Sequence, residues 1–233
     1  MNVLGLMVVL ADDDPIKDKN FRALGDKELW EHATDSLLSL DSISKMAILT
    51  DAPRRFDDDF QDGELVYERS RPGLTVEEIP TGARLCRGEI EFQSNTTWAL
   101  QALAYIAENS DYDAYALVNP CCPFIESRLI QMGLDAMGKR EDVHRLYSVT
   151  RHSGQFESIK RETMGAILEV NQALTIYRRR ALWPVEHLPD DTKDTIYKLG
   201  INRIQGLNIQ DWPDWEIAEA LMSQRRREGK RPD

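Results

Sequence analysis

The chain has 233 residues, of which 42% are hydrophobic and 30% charged, a composition typical of a folded globular domain. Its formal net charge of −11 argues against nucleic acid as a partner, because a phosphate backbone needs a basic surface. No apolar run reaches the roughly 18–20 residues that cross a membrane, so we predict one cytoplasmic domain over residues 1–233 with no membrane partner.

Strands and helices alternate along residues 1–140, a pattern typical of a mostly parallel α/β sheet flanked by helices. Residues 3–10 are an apolar run of strand length, as expected for a central parallel strand covered on both faces. Residues 27–40 space their apolar side chains at helical intervals, and residues 69–90, rich in glycine and proline, predict a long loop. The same criteria predict strands at 44–50, 64–68 and 114–118 and helices at 95–107 and 126–137.

The second half of the chain departs from this alternation. Within residues 143–178, apolar runs follow one another with no long helix between them, which predicts a small antiparallel excursion suited to a dimer contact. A short strand at 206–209 and a helix opened by Asp211 follow, and the basic tail at 225–231 is predicted to be frayed. The runs within the excursion are 144–150, 165–170 and 173–177.

Three segments carry the clearest motifs, in chain order. Residues 19–29 read KNFRALGDKEL, residues 117–124 read LVNPCCPF, and residues 207–219 read LNIQDWPDWEIAE. Two weaker motifs are Arg71 with the proline after it, and residues 171–177, which read NQALTIY. In order and spacing, these motifs resemble the acylneuraminate (CMP-sugar) cytidylyltransferase family over almost the whole chain.

The resemblance implies a Rossmann-like sheet of the nucleotide-diphospho-sugar transferase type, and a homodimer. It also implies a reaction in which a hydroxyl of an acidic sugar attacks the α-phosphate of CTP and pyrophosphate leaves, with Mg²⁺ bridging phosphates and acidic side chains. By position, Lys19 would contact the phosphates, Asn20 the nucleoside, and Arg71 the base or the sugar acid. The other positions implied for the nucleotide are Leu10, Ala11, Asp12, Asp13 and Lys17, and those implied for the sugar are Asn119, Cys121, Cys122 and Asn171. The metal ligands would be Asn208, Gln210 and Asp211. The catalytic residues would be Lys19, Asp211 and Asp214.

The loop after the first strand departs from the family, in which this phosphate loop is basic and glycine-rich. Residues 11–18 instead contain Asp12, Asp13 and Asp14 and no glycine. Two unit charges about 4 Å apart interact by about 4 kcal/mol at an effective dielectric constant near 20, so unneutralised aspartates would repel a triphosphate. Either these aspartates hold Mg²⁺ themselves, or they form an exposed acidic loop that faces away from the ligand.

The other two motifs also depart from the family and have competing interpretations. Asn208 and Gln210 stand where the family has paired aspartates, and they bring no charge to balance a cation. Asp211 either ligates the metal or caps the last helix. Cys121 and Cys122 replace small hydroxyl residues, and they are either a packed pair or include a reactive thiol.

Three functional hypotheses are open. The first is a CMP-sugar synthetase-like enzyme, and the second is a catalytically silent relative that binds a sugar nucleotide or a partner enzyme. The first motif also has a structural interpretation, in which Lys19 is solvent-exposed and Asn20 caps a turn. The third is a glycosyltransferase with an Asp-x-Asp motif, but Asp111 and Asp113 precede their strand instead of following it.

Overall fold

The computed structural model describes residues 1–11, 15–50, 52, 55, 74–78, 111–152, 167–181, 196–227 and 229. No helix in these ranges is long and apolar enough to cross a membrane. The described helices are α1 (Leu29–Leu38), α2 (Ser127–Lys139) and α3 (Trp212–Arg227). The described strands are β1 (Val3–Val9), β2 (Ala23–Leu24), β3 (Lys27–Glu28), β4 (Lys45–Thr50), β5 (Leu74–Glu78), β6 (Ala114–Val118), β7 (Arg145–His152), β8 (Ile167–Arg178) and β9 (Ile196–Ile201).

Seven of these strands form one mixed sheet in the order β5-β4-β1-β6-β8-β7-β9. The neighbours β5-β4, β4-β1, β1-β6 and β7-β9 are parallel, whereas β8 is antiparallel to both β6 and β7. The remaining strands, β2 and β3, form a separate two-stranded hairpin. The predicted mostly parallel sheet, flanked by helices and carrying a small antiparallel part, is therefore confirmed.

The central strand β1 is buried on both faces. Val3 and Met7 belong to a large apolar cluster that includes Leu37 of α1 and Ile130 of α2, so both helices cover this face. Leu6, from the alternate positions of the strand, packs in a second cluster on the other face. Burial of each such side chain contributes about 1.5–3 kcal/mol, which explains why the strand reads as a continuous apolar run.

Two predictions for the middle of the chain have different outcomes. The predicted loop at 69–90 contains β5, whose backbone pairs in parallel with β4, so this part of the loop prediction is wrong. Only two of the five residues of β5 are apolar, and its sheet partner lies far away in sequence, so local patterning gives little signal. The strand predicted at 64–68 and the helix predicted at 95–107 lie outside the described residues.

The antiparallel excursion is continuous with the main sheet. The runs at 165–170 and 173–177 were predicted as two strands, but they belong to the single strand β8, which lies between β6 and β7. Gln172, with a φ of 59°, interrupts its regular pairing. A residue with a left-handed backbone conformation disturbs the pairing locally without ending the strand. One strand therefore appears in the sequence as two apolar runs.

The prediction of a strand at 206–209 is wrong. The last described strand is β9, which pairs in parallel with β7. Of its six residues, only Leu199 and Ile201 are buried. Ile209, predicted to end the strand, instead donates its backbone N–H to the carbonyl of Cys121 at 2.9 Å. A contact with a distant loop, and not pairing within a sheet, therefore holds this segment.

The prediction of a frayed tail is wrong for the first three arginines. Helix α3 continues through Arg227, and Arg225 and Arg226 pair with Glu126 and Asp26 at 3.7 Å and 3.2 Å. Such exposed pairs contribute about 0–1 kcal/mol each, but cations at a helix C-terminus also complement its dipole. The two contacts place the end of α3 against the loops that precede α1 and α2.

His32 of α1 makes stability depend on pH. The ring is buried, and its Nε2 lies 2.8 Å from the Leu24 carbonyl oxygen, which can only accept, so Nε2 carries the hydrogen. Burial lowers the pKa of His32, and the hydrogen bond to Leu24 opposes this effect. The unfolded chain, with an ordinary histidine pKa near 6.5, then binds more protons than the folded protein just below that pH. The stability that depends on a neutral His32 is therefore fully present above about pH 6.5 and is lost progressively as the pH falls below that value.

The variant His32→Gln tests this linkage. Glutamine keeps an N–H donor for the Leu24 carbonyl but does not titrate, so we expect a weaker loss of stability between pH 7.5 and pH 5.5 than in the wild type. Urea unfolding across this range measures the difference. Parallel stability curves for the two proteins would refute the role of His32.

Candidate functional site

The sheet topology predicts a ligand-binding crevice between β1 and β6. The chain proceeds from β1 outward to β4 and β5, then returns to β6 on the other side of β1. In open α/β sheets, ligands bind outside the carboxyl ends of the strands at the point where the strand order reverses. Leu10 and Ala11 follow β1, and Asn119 follows β6, so the loop that leads to the first motif segment and the second motif segment itself both lie at this carboxyl edge.

The Asn20 side chain joins the two segments. It is 2% exposed, and its Nδ2 donates to the carbonyl of Leu10 at 3.0 Å. The thiol of Cys121 donates to its Oδ1 at 3.6 Å. The amide therefore connects the end of β1 to the loop after β6.

Lys19 lies in the same place and is 5% exposed, so the interpretation as a solvent-exposed lysine is wrong. It begins a short 3-10 turn, Lys19–Phe21, that also carries Asn20. Burying an ammonium group is costly unless other groups compensate its charge, so a buried lysine at a strand end indicates a specific role. We call Leu10, Lys19, Asn20, Asn119 and Cys121 the switch-point site.

The two cysteines have different environments. Cys122 is fully buried in the large core cluster, and burial raises the pKa of its thiol well above the ordinary value. The neighbouring Cys121 sulfur adds to this increase in the pKa, and the Lys19 ammonium opposes it. A protonated, buried thiol is a poor nucleophile, so the structure favours packing over reactivity for Cys122. Cys121 instead faces Asn20.

Hydrogen bonds fix the loop after β6. The side chain of Asn119 accepts the N–H of Cys121 at 2.9 Å, and its backbone N–H donates to the carbonyl of Ala173 in β8 at 3.1 Å. The Cys121 carbonyl in turn accepts the N–H of Ile209. The second and third motif segments are therefore bound directly to each other.

A small hydrophobic cluster, separate from the main core, unites the three motif segments. Phe124 follows the cysteines, Leu24 belongs to the first segment, and Trp215 belongs to the third. Segments roughly a hundred residues apart thus share one packed unit beside the switch-point site. We call this unit the motif cluster; its buried members are Ile16, Leu24, Leu29, Phe124, Ile209, Trp215 and Ala218.

Arginine–aromatic contacts reinforce the motif cluster. The guanidinium of Arg22 lies 5.0 Å from the Trp212 ring, and that of Arg225 lies 4.9 Å from the Phe124 ring. At exposed positions each such contact contributes about 0.5–1 kcal/mol. Helix α3 is therefore held against both the first and the second motif segments.

The carboxylates of the third segment act as helix caps. Asp211 accepts the backbone N–H of Asp214 at 3.1 Å, and Asp214 accepts the N–H of Gln210 at 3.0 Å. These contacts fit the capping interpretation of Asp211. Asn208 is half-buried and Gln210 is exposed. The catalytic roles of Asp211 and Asp214 stay predictions.

The predicted magnesium ligands bring little negative charge to a cation. Among the described residues, no three His, Cys, Asp or Glu side chains are close enough to share a metal ion. Of the predicted set of Asn208, Gln210 and Asp211, only Asp211 carries charge, and one of its oxygens caps α3. This set therefore does not fit a hard divalent cation, which prefers several charged oxygen ligands.

Asn171 is occupied by internal hydrogen bonds. Its Oδ1 accepts the Ser148 hydroxyl at 2.6 Å and the Ala173 N–H at 3.2 Å, and its Nδ2 donates to the Thr150 hydroxyl at 2.6 Å. Ala173 also bonds Asn119, so Asn171 lies near the carboxyl edge. The observed contacts stabilise the irregular pairing of β7 and β8, and a contact to substrate stays a prediction.

Gly206 packs directly on this network. A Cβ atom there would lie 2.5 Å from Nδ2 of Asn171 and 2.9 Å from Oγ1 of Thr150. Both atoms are held by their mutual hydrogen bond, so we expect Gly206→Ala to lower the free energy of unfolding by about 1–3 kcal/mol in urea denaturation. Gly200→Ala is the control, because no atom lies within 4 Å of its Cβ position. Equal effects of the two substitutions would contradict the prediction.

The structure places the remaining predicted site residues as follows. Lys17 is exposed and Ala11 is half-buried beside Leu10. Asp12, Asp13 and Arg71 lie outside the described residues, so the orientation of the acidic loop stays open.

The sequence interpretation missed Arg55. Its guanidinium lies 3.0 Å from the Asp18 carboxylate and 5.4 Å from the Phe21 ring, beside the turn that carries Lys19. Its position indicates a site residue, because Arg55 is a cation that follows β4 shortly after the carboxyl end of that parallel strand.

A groove of about 510 Å³ lies at the opposite, amino edge of the sheet. Two of its arginines are held by internal hydrogen bonds, since Arg179 donates to Asp111 at 2.6 Å and Arg178 to the Val143 carbonyl at 2.8 Å. Asp113, also in its wall, accepts the backbone N–H of Asn2 at 2.7 Å. The Asp-x-Asp sequence is therefore far from the carboxyl edge, which removes support for the glycosyltransferase hypothesis.

Comparison with solved structures identifies the fold. A CMP-2-keto-3-deoxy-manno-octonic acid synthetase in complex with CTP matches with a TM-score of 0.71 at 13% identity, over 96% of this chain and 99% of the other. A 4-diphosphocytidyl-2C-methyl-D-erythritol synthase from Anaerococcus prevotii matches with a TM-score of 0.63 at 9% identity, over 95% and 96%. A cytidylyltransferase from Leptospira borgpetersenii matches with a TM-score of 0.62 at 13% identity, over 96% and 87%.

No family model and no curated protein sequence matches the chain. The chain therefore has the fold of cytidylyltransferases, as the motifs predicted, at identities that establish the fold alone.

Proposed function

We propose that this protein is a nucleotidyltransferase that transfers CMP from CTP to an acidic sugar and releases pyrophosphate. The observation that supports it most is the switch-point site, where a buried lysine and a buried asparagine meet between β1 and β6. These residues belong to the motif that resembles the CMP-sugar cytidylyltransferases, and the fold is shared with a synthetase solved with CTP. A homodimer and a cytoplasmic location are parts of the same proposal.

The proposed chemistry is mostly positioning and charge neutralisation. The sugar hydroxyl forms a new P–O bond at the α-phosphate and loses its proton to solvent water, and the bond from that phosphorus to the pyrophosphate oxygen breaks. Lys19 supplies a positive charge for the phosphates in a desolvated place, where it acts more strongly than in water. Asn20, fixed by Leu10 and Cys121, borders the nucleoside.

Magnesium belongs to the proposal as a companion of the triphosphate, where it would neutralise phosphate charge. Because Asn208, Gln210 and Asp211 do not fit a cation site, we assign the ion no ligand among the described residues and derive no step through it. The acidic residues Asp12, Asp13 and Asp14 are the alternative ligands that the sequence offers.

Pyrophosphate release tests the proposed reaction. Purified protein is incubated with Mg²⁺, a panel of nonulosonic and related acidic sugars, and CTP, UTP, ATP or GTP in turn. We expect release that needs CTP, one of the sugars and the metal. No release with any nucleotide and sugar, from protein that is folded by circular dichroism, would overturn the proposal.

A second candidate is a catalytically silent relative that binds a sugar nucleotide or a partner protein. The third motif segment favours it, because Asn208 and Gln210 are neutral and the carboxylates of Asp211 and Asp214 cap α3. This candidate predicts that CTP or a CMP-sugar raises the melting temperature without any turnover. Turnover in the pyrophosphate assay would exclude it.

A further inference from the structure

We infer that Cys121 is a positioning residue whose thiol holds the Asn20 amide in the orientation that the nucleotide site needs. The inference rests on the proposed function, because it assigns the nucleoside to Asn20. It assigns a role to a side chain that differs from the small hydroxyl residue found in the family it resembles.

The two hydrogen bonds of Asn20 define one orientation of its amide. The Leu10 carbonyl can only accept, and it lies 3.0 Å from Nδ2, while the Cys121 thiol donates to Oδ1 from 3.6 Å. A flipped amide would place its oxygen against the carbonyl oxygen, where two acceptors repel, and would leave the thiol without its acceptor. The carbonyl and the thiol therefore select the same orientation from the two ends of the group.

The thiol is itself held in a fixed direction. The N–H of Cys121 donates to the Asn119 side chain, and its carbonyl accepts the N–H of Ile209, both at 2.9 Å. Both backbone groups of the residue are thus anchored, and the side chain is 7% exposed. Through Cys121, the second and third motif segments control the geometry of the first.

The thiol also limits what can replace it. Serine keeps a donor of similar volume at this position, whereas alanine removes the donor and leaves Oδ1 of Asn20 without this partner. A typical intramolecular hydrogen bond is worth a factor of about three to ten in an equilibrium constant. Because a thiol is a weak donor, the lower end of this range applies. We therefore expect Cys121→Ala to weaken CTP binding by about threefold and Cys121→Ser to bind within about twofold of the wild type.

A double-mutant cycle separates positioning from a general loss of structure. Isothermal titration calorimetry measures the Kd for CTP of the wild type, Cys121→Ala, Asn20→Ala and the double variant. If Cys121 acts through Asn20, its removal has no further effect once Asn20 is alanine. The control is Ser36→Ala, which removes another buried hydrogen bond close to the same loop, from the Ser36 hydroxyl to the Ile125 carbonyl at 2.8 Å. We expect its Kd to match the wild type.

Three results would overturn the inference while the wild type binds CTP. These are an unchanged Kd for Cys121→Ala, an equal loss with and without Asn20, and a loss in Cys121→Ser as large as in Cys121→Ala. Failure of the wild type to bind CTP at all would instead overturn the proposed function, and the inference with it.

Discussion

Replacing Lys19 with alanine is expected to reduce kcat/KM for pyrophosphate release from CTP by about a hundredfold or more. The side chain is 5% exposed, and its neighbour Asn20 bonds the residue that follows β1, so the Lys19 charge acts in a desolvated place and water cannot substitute for it. Steady-state kinetics with a sugar that supports turnover measures the loss.

The matched control is Lys139→Ala. Lys139 is exposed at the end of α2, and with a rise of about 1.5 Å per residue it lies roughly 20 Å along the helix from the start near the carboxyl edge. We expect its kcat/KM to stay within about twofold of the wild type. Equal losses in the two variants would show that general charge, and not the position of Lys19, causes the effect.

Phe124→Ala is expected to lower the free energy of unfolding by about 3–5 kcal/mol, because it leaves a cavity in the motif cluster. The ring is 1% exposed and packs with residues from all three motif segments. Loss of this packing should also loosen the segments that form the switch-point site. We therefore expect weaker CTP binding at temperatures where the variant is still folded, measured by calorimetry alongside urea unfolding.

Leu134→Ala provides the comparison for Phe124→Ala. Leu134 is 3% exposed in α2 and belongs to the main core. Its removal should cost about 2–5 kcal/mol of stability and leave the CTP affinity of the folded protein unchanged. If both variants weaken CTP binding alike, the effect reflects global stability and the motif cluster has no special role.

The fold was largely predictable where burial is local and strong. Strands β1 and β6 are continuous apolar runs, β4 has an apolar centre, and α1 and α2 carry regular apolar faces, so the sequence alone predicts them. Strands β5 and β9 lie at the two edges of the sheet and have mixed polarity. Their pairing depends on partners distant in sequence, which patterning does not reveal.

The candidate site was predictable as a set of segments but not as a geometry. The motifs indicated that the segments beginning at Lys19, Leu117 and Leu207 belong together, and the motif cluster joins them. That Lys19 is buried could not be predicted, since lysine is almost never fully buried unless it is paired. The contact between Cys121 and Asn20 depends on tertiary packing alone and has no signature in the sequence.

The most direct test is a crystal structure of the protein grown with CTP and Mg²⁺. The account predicts triphosphate density beside Lys19 and the nucleoside beside Asn20, between the carboxyl ends of β1 and β6. It would be contradicted by nucleotide bound instead in the groove beside Arg178 and Arg179 at the amino edge. A crevice filled by residues 11–18, with no nucleotide bound, would contradict it equally.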